Sequence, residues 1–218
     1  GRYVGALSPT VDLGSVDLNE QGVYPARPVG MLGDGSICGE TSPAAPAAHG
    51  VPIRLHHVRM GPDGATLDTI FGVAYGRELN LTLTFDAGMR YGSPQPFTDR
   101  PLITLARDGR SLLVLERRAD DADGGNAFHL LRLGLSGDTI DSRAYPYRPV
   151  AIPRDTIERE LQQRVERVNE VTQGMGISLS QIQTMVRDAM YIPAAYPPVG
   201  HLVAGRDGTV WLSRQPQG

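Results

Sequence analysis

Few residues in this 218-residue chain have types and spacing suited to chemistry, and each has a structural use beside its chemical one. Asp120-Asp-Ala-Asp-Gly-Gly-Asn126 invites a calcium reading. A twelve-residue calcium loop opening at Asp121 needs an oxygen ligand at its fifth position and a glutamate at its twelfth. Gly125 and Arg132 stand there, so the run reads as a solvated acidic turn. His56 and His57 fall in an apolar strand-like run, where successive side chains point to opposite faces. They cannot share one metal without a bend, and one half-buried and one exposed histidine is expected. Cys38, the single cysteine, excludes an internal disulfide. It has no histidine or basic neighbour in sequence to activate it, so it reads as a small buried hydrophobe. No nucleophile elbow is present.

The remaining lead is a set of tyrosines and one arginine. Tyr145, Tyr147 and Arg148 precede an apparent helical segment, and Tyr191 and Tyr196 follow it. Tyrosine and arginine are favoured at binding hot spots, and these five are the candidate binding residues. They also suit packing beneath inserted helices. No catalytic residue, metal ligand or cofactor is assigned from the sequence.

The elements that would position such residues begin with three related stretches: Pro28–Cys38, Pro101–Val114 and Pro198–Leu212. Each is an apolar run, an Asp-Gly turn and a second apolar run. Asp-Gly between apolar runs signals a hairpin, because glycine accepts the positive φ of a tight turn. Further hairpins are expected where Ile53–Met60 and Ala65–Phe71 flank Gly61-Pro-Asp-Gly64, and where Phe128–Leu135 and Thr139–Tyr145 flank Ser136-Gly137. The turns move in step: Asp34 to Asp108 is 74 residues and Asp63 to Ser136 is 73. Such self-similarity marks a repeat, here a four-stranded antiparallel meander with tight first and third turns. Long connections fall at Thr41–Gly50, Val73–Arg100 and Ala119–Asn126, all on the side opposite the tight turns.

The third stretch is displaced, since Asp108 to Asp207 is 99 residues. The excess is helical in pattern. Asp155-Thr-Ile-Glu158 outlines a capping box, followed by Ile157, Leu161, Val165, Val168 and Val171 at helical spacing. Gly174 and Gly176 interrupt it. Ser178-Leu-Ser-Gln181 opens a second helix with Leu179, Ile182, Val186 and Met190 on one face, closed before Pro193. The expected division is meanders over 1–152, a helical hairpin insertion over 153–193, and the start of a further unit over 194–218.

Composition agrees with a mainly β chain. Its 26 glycines and 17 prolines suit many short strands and turns. A formal charge of −3 argues against a nucleic-acid surface, and no apolar run is long enough to span a membrane. All 21 basic residues are arginine.

Pro101–Val150, with its Asp-Gly turn, its Ser-Gly-Asp-Thr turn and Tyr145-Pro-Tyr-Arg-Pro-Val150, resembles a blade of the bacterial six-bladed β-propeller family, NHL-like or TolB-like. Tyr196–Leu212 resembles the next inner hairpin of that family. The resemblance implies β-propeller blades, an extracytoplasmic location (periplasmic, secreted or lipid-anchored) and no catalytic residues. The acidic metal ligands of gluconolactonase-like propellers do not occur at recognisable positions. With two full units and half of a third, the chain is expected to be a partial propeller whose remaining blades are missing. Two functions follow as expectations. One is a non-catalytic binding or scaffolding propeller, meeting a protein or small-molecule ligand on its long-loop face. The alternative is a lactonase- or hydrolase-like propeller enzyme with a metal in the central channel. On either reading Leu32, Ile37, Leu105, Leu115, Leu202 and Trp211 should lie in strands and be largely buried.

Overall fold

A computed structural model describes residues 27–41, 53–61, 65–75, 80–85, 88–117 and 126–214. Arg27–Met31 (β1), Ile37–Thr41 (β2), Ile53–Met60 (β3) and Thr66–Tyr75 (β4) form one antiparallel sheet in chain order. Leu102–Leu105 (β7), Ser111–Glu116 (β8), Ala127–Gly134 (β9) and Thr139–Pro146 (β10) form a second of the same topology. Val199–Ala204 (β11) and Val210–Arg214 (β12) make a third, two-stranded sheet. The protein is mainly β, and its two full meanders are those read from the turn spacing.

The repeat extends to individual atoms. At the first turn of the three units, the N–H groups of Leu32, Ala106 and Gly205 donate to the carbonyls of Ser36, Ser111 and Thr209. Asp34, Asp108 and Asp207 each accept from the backbone N–H two residues on, an Asx-turn geometry. Gly35, Gly109 and Gly208 each carry the positive φ that follows. In both full meanders the turn aspartate also holds an arginine of the third strand: Arg59 to Asp34 at 3.2 Å and Arg132 to Asp108 at 3.0 Å.

The first strands of the units stand side by side in the order β1, β7, β11. The closest approach is between the first two turns, where Gly33 N–H donates to Gly109 C=O at 2.9 Å. A Cβ on Gly109 would overlap the Gly33 nitrogen, so the contact needs a residue without a side chain. Leu32, Cys38, Ile70, Leu112, Val114 and Leu133 close the apolar interface between the two meanders.

The connection expected as a loop over Val73–Arg100 contains a further hairpin, Asn80–Thr84 (β5) paired with Arg90–Pro94 (β6). Its signal is the alternation Leu81-Thr-Leu83-Thr-Phe85, which puts every second residue on one face. That face meets the helices Arg154–Val171 (α1) and Leu179–Ala189 (α2). Together they bury Leu81, Leu83, Phe85, Phe97, Val165, Val168, Ile182 and Val186 in a second core. Each such side chain contributes about 1.5–3 kcal/mol as an upper estimate. The helical hairpin is therefore half of a module whose other half comes from the preceding long connection.

Other expectations are corrected in detail. The cap of α2 is as read: Gln181 N–H donates to Ser178 Oγ, and Ser178 N–H to Gln181 Oε1 at 2.9 Å. At α1 the N-cap is Pro153, with no side-chain cap; Asp155 sits inside the first turn, where its charge still favours the helix N-terminus. Leu179 and Val171 lie on exposed faces, because the module's core takes only the central part of each stripe. Leu115 and Leu32 are buried, Leu32 in the turn just past β1. Ile37, Leu105 and Leu202 are half-buried. Trp211 is 67% exposed, since its side of the third sheet meets no other described element. The acidic run 120–125 lies outside the described residues.

Two stability outcomes follow. Gly109→Ala should lower the melting temperature more than Gly35→Ala: both strain the backbone, by about 1–2 kcal/mol, but only Gly109 also loses its close approach to Gly33. Replacing 155–190 by a Gly-Ser linker should abolish the helical dichroism and lower the melting temperature, because β5 and β6 lose their cover. An unchanged melting temperature would show that the helices carry none of the core.

Candidate functional site

The candidate tyrosines occupy two settings. Tyr191 and Tyr196 leave α2 and are drawn into the base of the helical module. The Tyr191 hydroxyl donates to Asp99 at 2.8 Å, and its backbone N–H donates to Gln95 Oε1 at 3.0 Å. Gln95 in turn donates to Ala189 C=O at 2.9 Å, fastening the end of α2 to the segment after β6. Tyr196 is buried edge-on against Phe97, and its hydroxyl has no hydrogen-bond partner among the described residues. These two residues carry structure.

Tyr145 and Tyr147 lie at the end of the second meander. Tyr145 stacks on Phe128 with ring centroids 5.3 Å apart and planes 19° from parallel, and Tyr147 tilts against the same ring. Both are half-buried, while Arg148 is exposed. The register of β9 and β10 explains the stack, since Tyr145 faces Phe128, Arg143 faces Leu130 and Asp141 faces Arg132. One side of this ladder thus carries two aromatic rings, a leucine, two arginines and an aspartate.

Beside that ladder runs a cleft of about 600 Å³, closed on its far side by the turn of the third unit. Leu113, Leu130, Arg132, Arg143 and Tyr145 line one wall, and Gly205, Arg206, Gly208, Thr209 and Val210 contribute to the other. Of the five candidates, Tyr145 alone lines it. Arg107 crosses between the walls, its Nε donating to Ala204 C=O at 3.2 Å. The sequence reading passed over Phe128, Arg132 and Arg143. Their period-two spacing with Leu130, Asp141 and Tyr145 was the available signal, and it needed the pairing register to become a surface. A second cleft, about 580 Å³, follows the three first strands past Met31, Thr104, Arg107 and Val203. A third, about 670 Å³, lies at the tip of the helical module between Phe85, Met175, Ile177 and Met185.

His56 and His57 diverge as strand geometry requires. His57 is buried, with Nε2 3.5 Å from Glu40; His56 is half-buried. Burial lowers the His57 pKa below its ordinary 6.5, while the Glu40 charge pulls the other way. Cys38 is fully buried, and burial followed by the Glu40 charge pushes its thiol to about 11, which makes it inert. Among the described residues, no three His, Cys, Asp or Glu side chains converge to hold a metal ion. No described helix is long and apolar enough to cross a membrane. No family model, curated protein or solved structure matches the chain.

The His57 shift gives a sign. The unfolded chain takes up a proton near pH 6.5 and the folded chain does not, so His57 stabilises the fold above that pH. That contribution is lost as pH falls below 6.5 toward the lowered folded value. Melting temperatures recorded from neutral pH downward should fall more steeply for the native chain than for His57→Gln.

Proposed function

We propose that the protein is a non-catalytic binding or scaffolding β-propeller of an extracytoplasmic bacterial protein, its meanders serving as blades of a six-bladed type. The first strands β1, β7 and β11 in series around a shared cleft support that architecture, as do the Asx-turns that the three units share. Strands that alternate in direction put the tight first and third turns on one side and the long connections on the other.

The observation that carries the functional reading is the module. Two separate long connections, from β4 to β7 and from β10 to β11, fold against each other with their own apolar core. Nothing in the meander architecture requires it, because the β turns close without it. A rigid platform raised on the loop side of a repeat scaffold is suited to recognition. Its tip offers the methionine-lined groove of Phe85, Met175, Ile177 and Met185. Methionine is unbranched and polarizable, and adapts to irregular apolar partners. The ligand class is a protein or small molecule with an apolar contact surface.

The competing chemistry is a metal-dependent hydrolase or lactonase. Metal analysis of the purified protein, with calcium and zinc titrations followed by thermal shift, separates the two. The binding reading expects neither stoichiometric metal nor a saturable rise in melting temperature. One tightly held ion per chain that raises the melting temperature would contradict it.

A further inference from the structure

We infer, on the binding reading above, that the groove at the tip of the helical module holds an uncharged, largely apolar small molecule. A single oxygen acceptor on that molecule takes a hydrogen bond from the side-chain amide of Gln181.

The groove has a floor and a rim of different chemistry. Phe85 follows β5, Ile177 precedes α2 and Met185 belongs to it, and together they make an apolar floor. Met175 stands 40% exposed at the mouth, between Gly174 and Gly176, whose positive φ angles arch the backbone there. Methionine at floor and mouth adapts to an irregular apolar shape. Thr84, Ser180, Gln181 and Thr184 form the rim.

The hydrogen bonds of α2 leave this rim one oriented donor. Gln181 Oε1 accepts from the Ser178 N–H at 2.9 Å and hydroxyl at 2.8 Å, so the helix cap fixes the amide plane. With the Ser178 proton spent there, the 3.1 Å contact between Ser178 Oγ and Ser180 Oγ takes the Ser180 proton. The Thr184 hydroxyl donates to Ser180 C=O at 3.1 Å. Gln181 Nε2 has no acceptor among the described residues, and it lies on a side chain that is already held. Its complement is a carbonyl, ester or ether oxygen.

The groove offers nothing to an ion. Among the described residues no lining side chain is charged. The sequence from 171 to 186 contains no Asp, Glu, Arg, Lys or His, in a chain that is 21% charged. A charged ligand would lose hydration here without gaining a partner. A protein laid across the tip would find no charge to set its register. The volume, about 670 Å³, lies within the range of roughly 300–1,000 Å³ of small-molecule sites, which are apolar with a few placed polar groups.

The test uses the native chain and N-phenyl-naphthylamine, an uncharged probe that brightens in apolar surroundings. The probe should saturate at one per chain. Methyl decanoate should displace it, while decanoate, the same acyl chain with a charge, should need at least about tenfold more. Gln181→Glu keeps the oxygen that the cap requires and removes the amide donor. It should weaken the ester about tenfold at an unchanged melting temperature. Thr84→Lys puts a cation on the exposed face of β5, at the rim, and should reverse the preference between ester and carboxylate. Ile140→Lys, on an exposed position of β10, should leave all of this unchanged. A probe that does not saturate, a carboxylate that displaces as well as the ester, or Gln181→Glu without effect would each overturn the assignment. So would a chain that floats with phosphatidylcholine vesicles, which would give the exposed Val171, Met175 and Leu179 to a membrane surface. None of these outcomes involves a metal, so failure here is distinct from failure of the binding reading, which the metal titrations decide.

Discussion

A hydrogen bond between two turns governs how this chain is arranged. Gly33 N–H meets Gly109 C=O at 2.9 Å, and the Gly109 backbone lies so near Gly33 that no side chain fits between them. That contact sets the separation of the first two meanders. With the separation fixed, Cys38 and Ile70 join Leu112, Val114 and Leu133 in one apolar cluster. Small residues and tight turns come first, and the apolar packing follows from the closeness they permit.

The same economy explains the turn aspartates. One side chain fixes its own turn through a backbone N–H and ties that turn to the third strand through an arginine. The pair is partly exposed, so its direct contribution to stability is small. Its value lies in register, because an arginine held at the turn sets which residue of the third strand stands opposite the second. The helical module obeys a different rule. Its two helices carry narrow apolar stripes, and neither stripe is covered by the other helix alone. The hairpin of β5 and β6 completes the core, and Tyr191, Asp99 and Gln95 fasten the join.

Much of this was legible in the sequence, for identifiable reasons. The Asp-Gly turns and their 74- and 73-residue spacing gave both full meanders, since turn chemistry and register are local. The Ser178 cap and the interruption at Gly174 and Gly176 located α2. The hairpin over 80–94 has an outer face of Asn80, Thr82, Thr84, Arg90, Gly92 and Pro94, which masks its strand pattern and makes the segment look like a long connection. Asp155 looked like a cap because Glu158 follows it by three, but the chain enters α1 through Pro153. Trp211 looked like core by its bulk, and whether a strand face is covered depends on what packs there. Of the candidate site, the tyrosines could be picked by type. Their separation into a pair built into the helical module and a pair packed on Phe128, of which Tyr145 alone reaches the cleft, rests on tertiary contacts that spacing does not encode.

The central claim is that the units stand in series through their first turns. Hydrogen exchange resolved by nuclear magnetic resonance addresses it at a single atom, the Gly33 amide, which no bond within its own meander would protect. The account predicts that this amide exchanges as slowly as those of β8, with a nuclear Overhauser contact to the Gly109 α-protons. Rapid exchange at Gly33 and no such contact, with both meanders otherwise protected, would show two independent sheets and contradict the account.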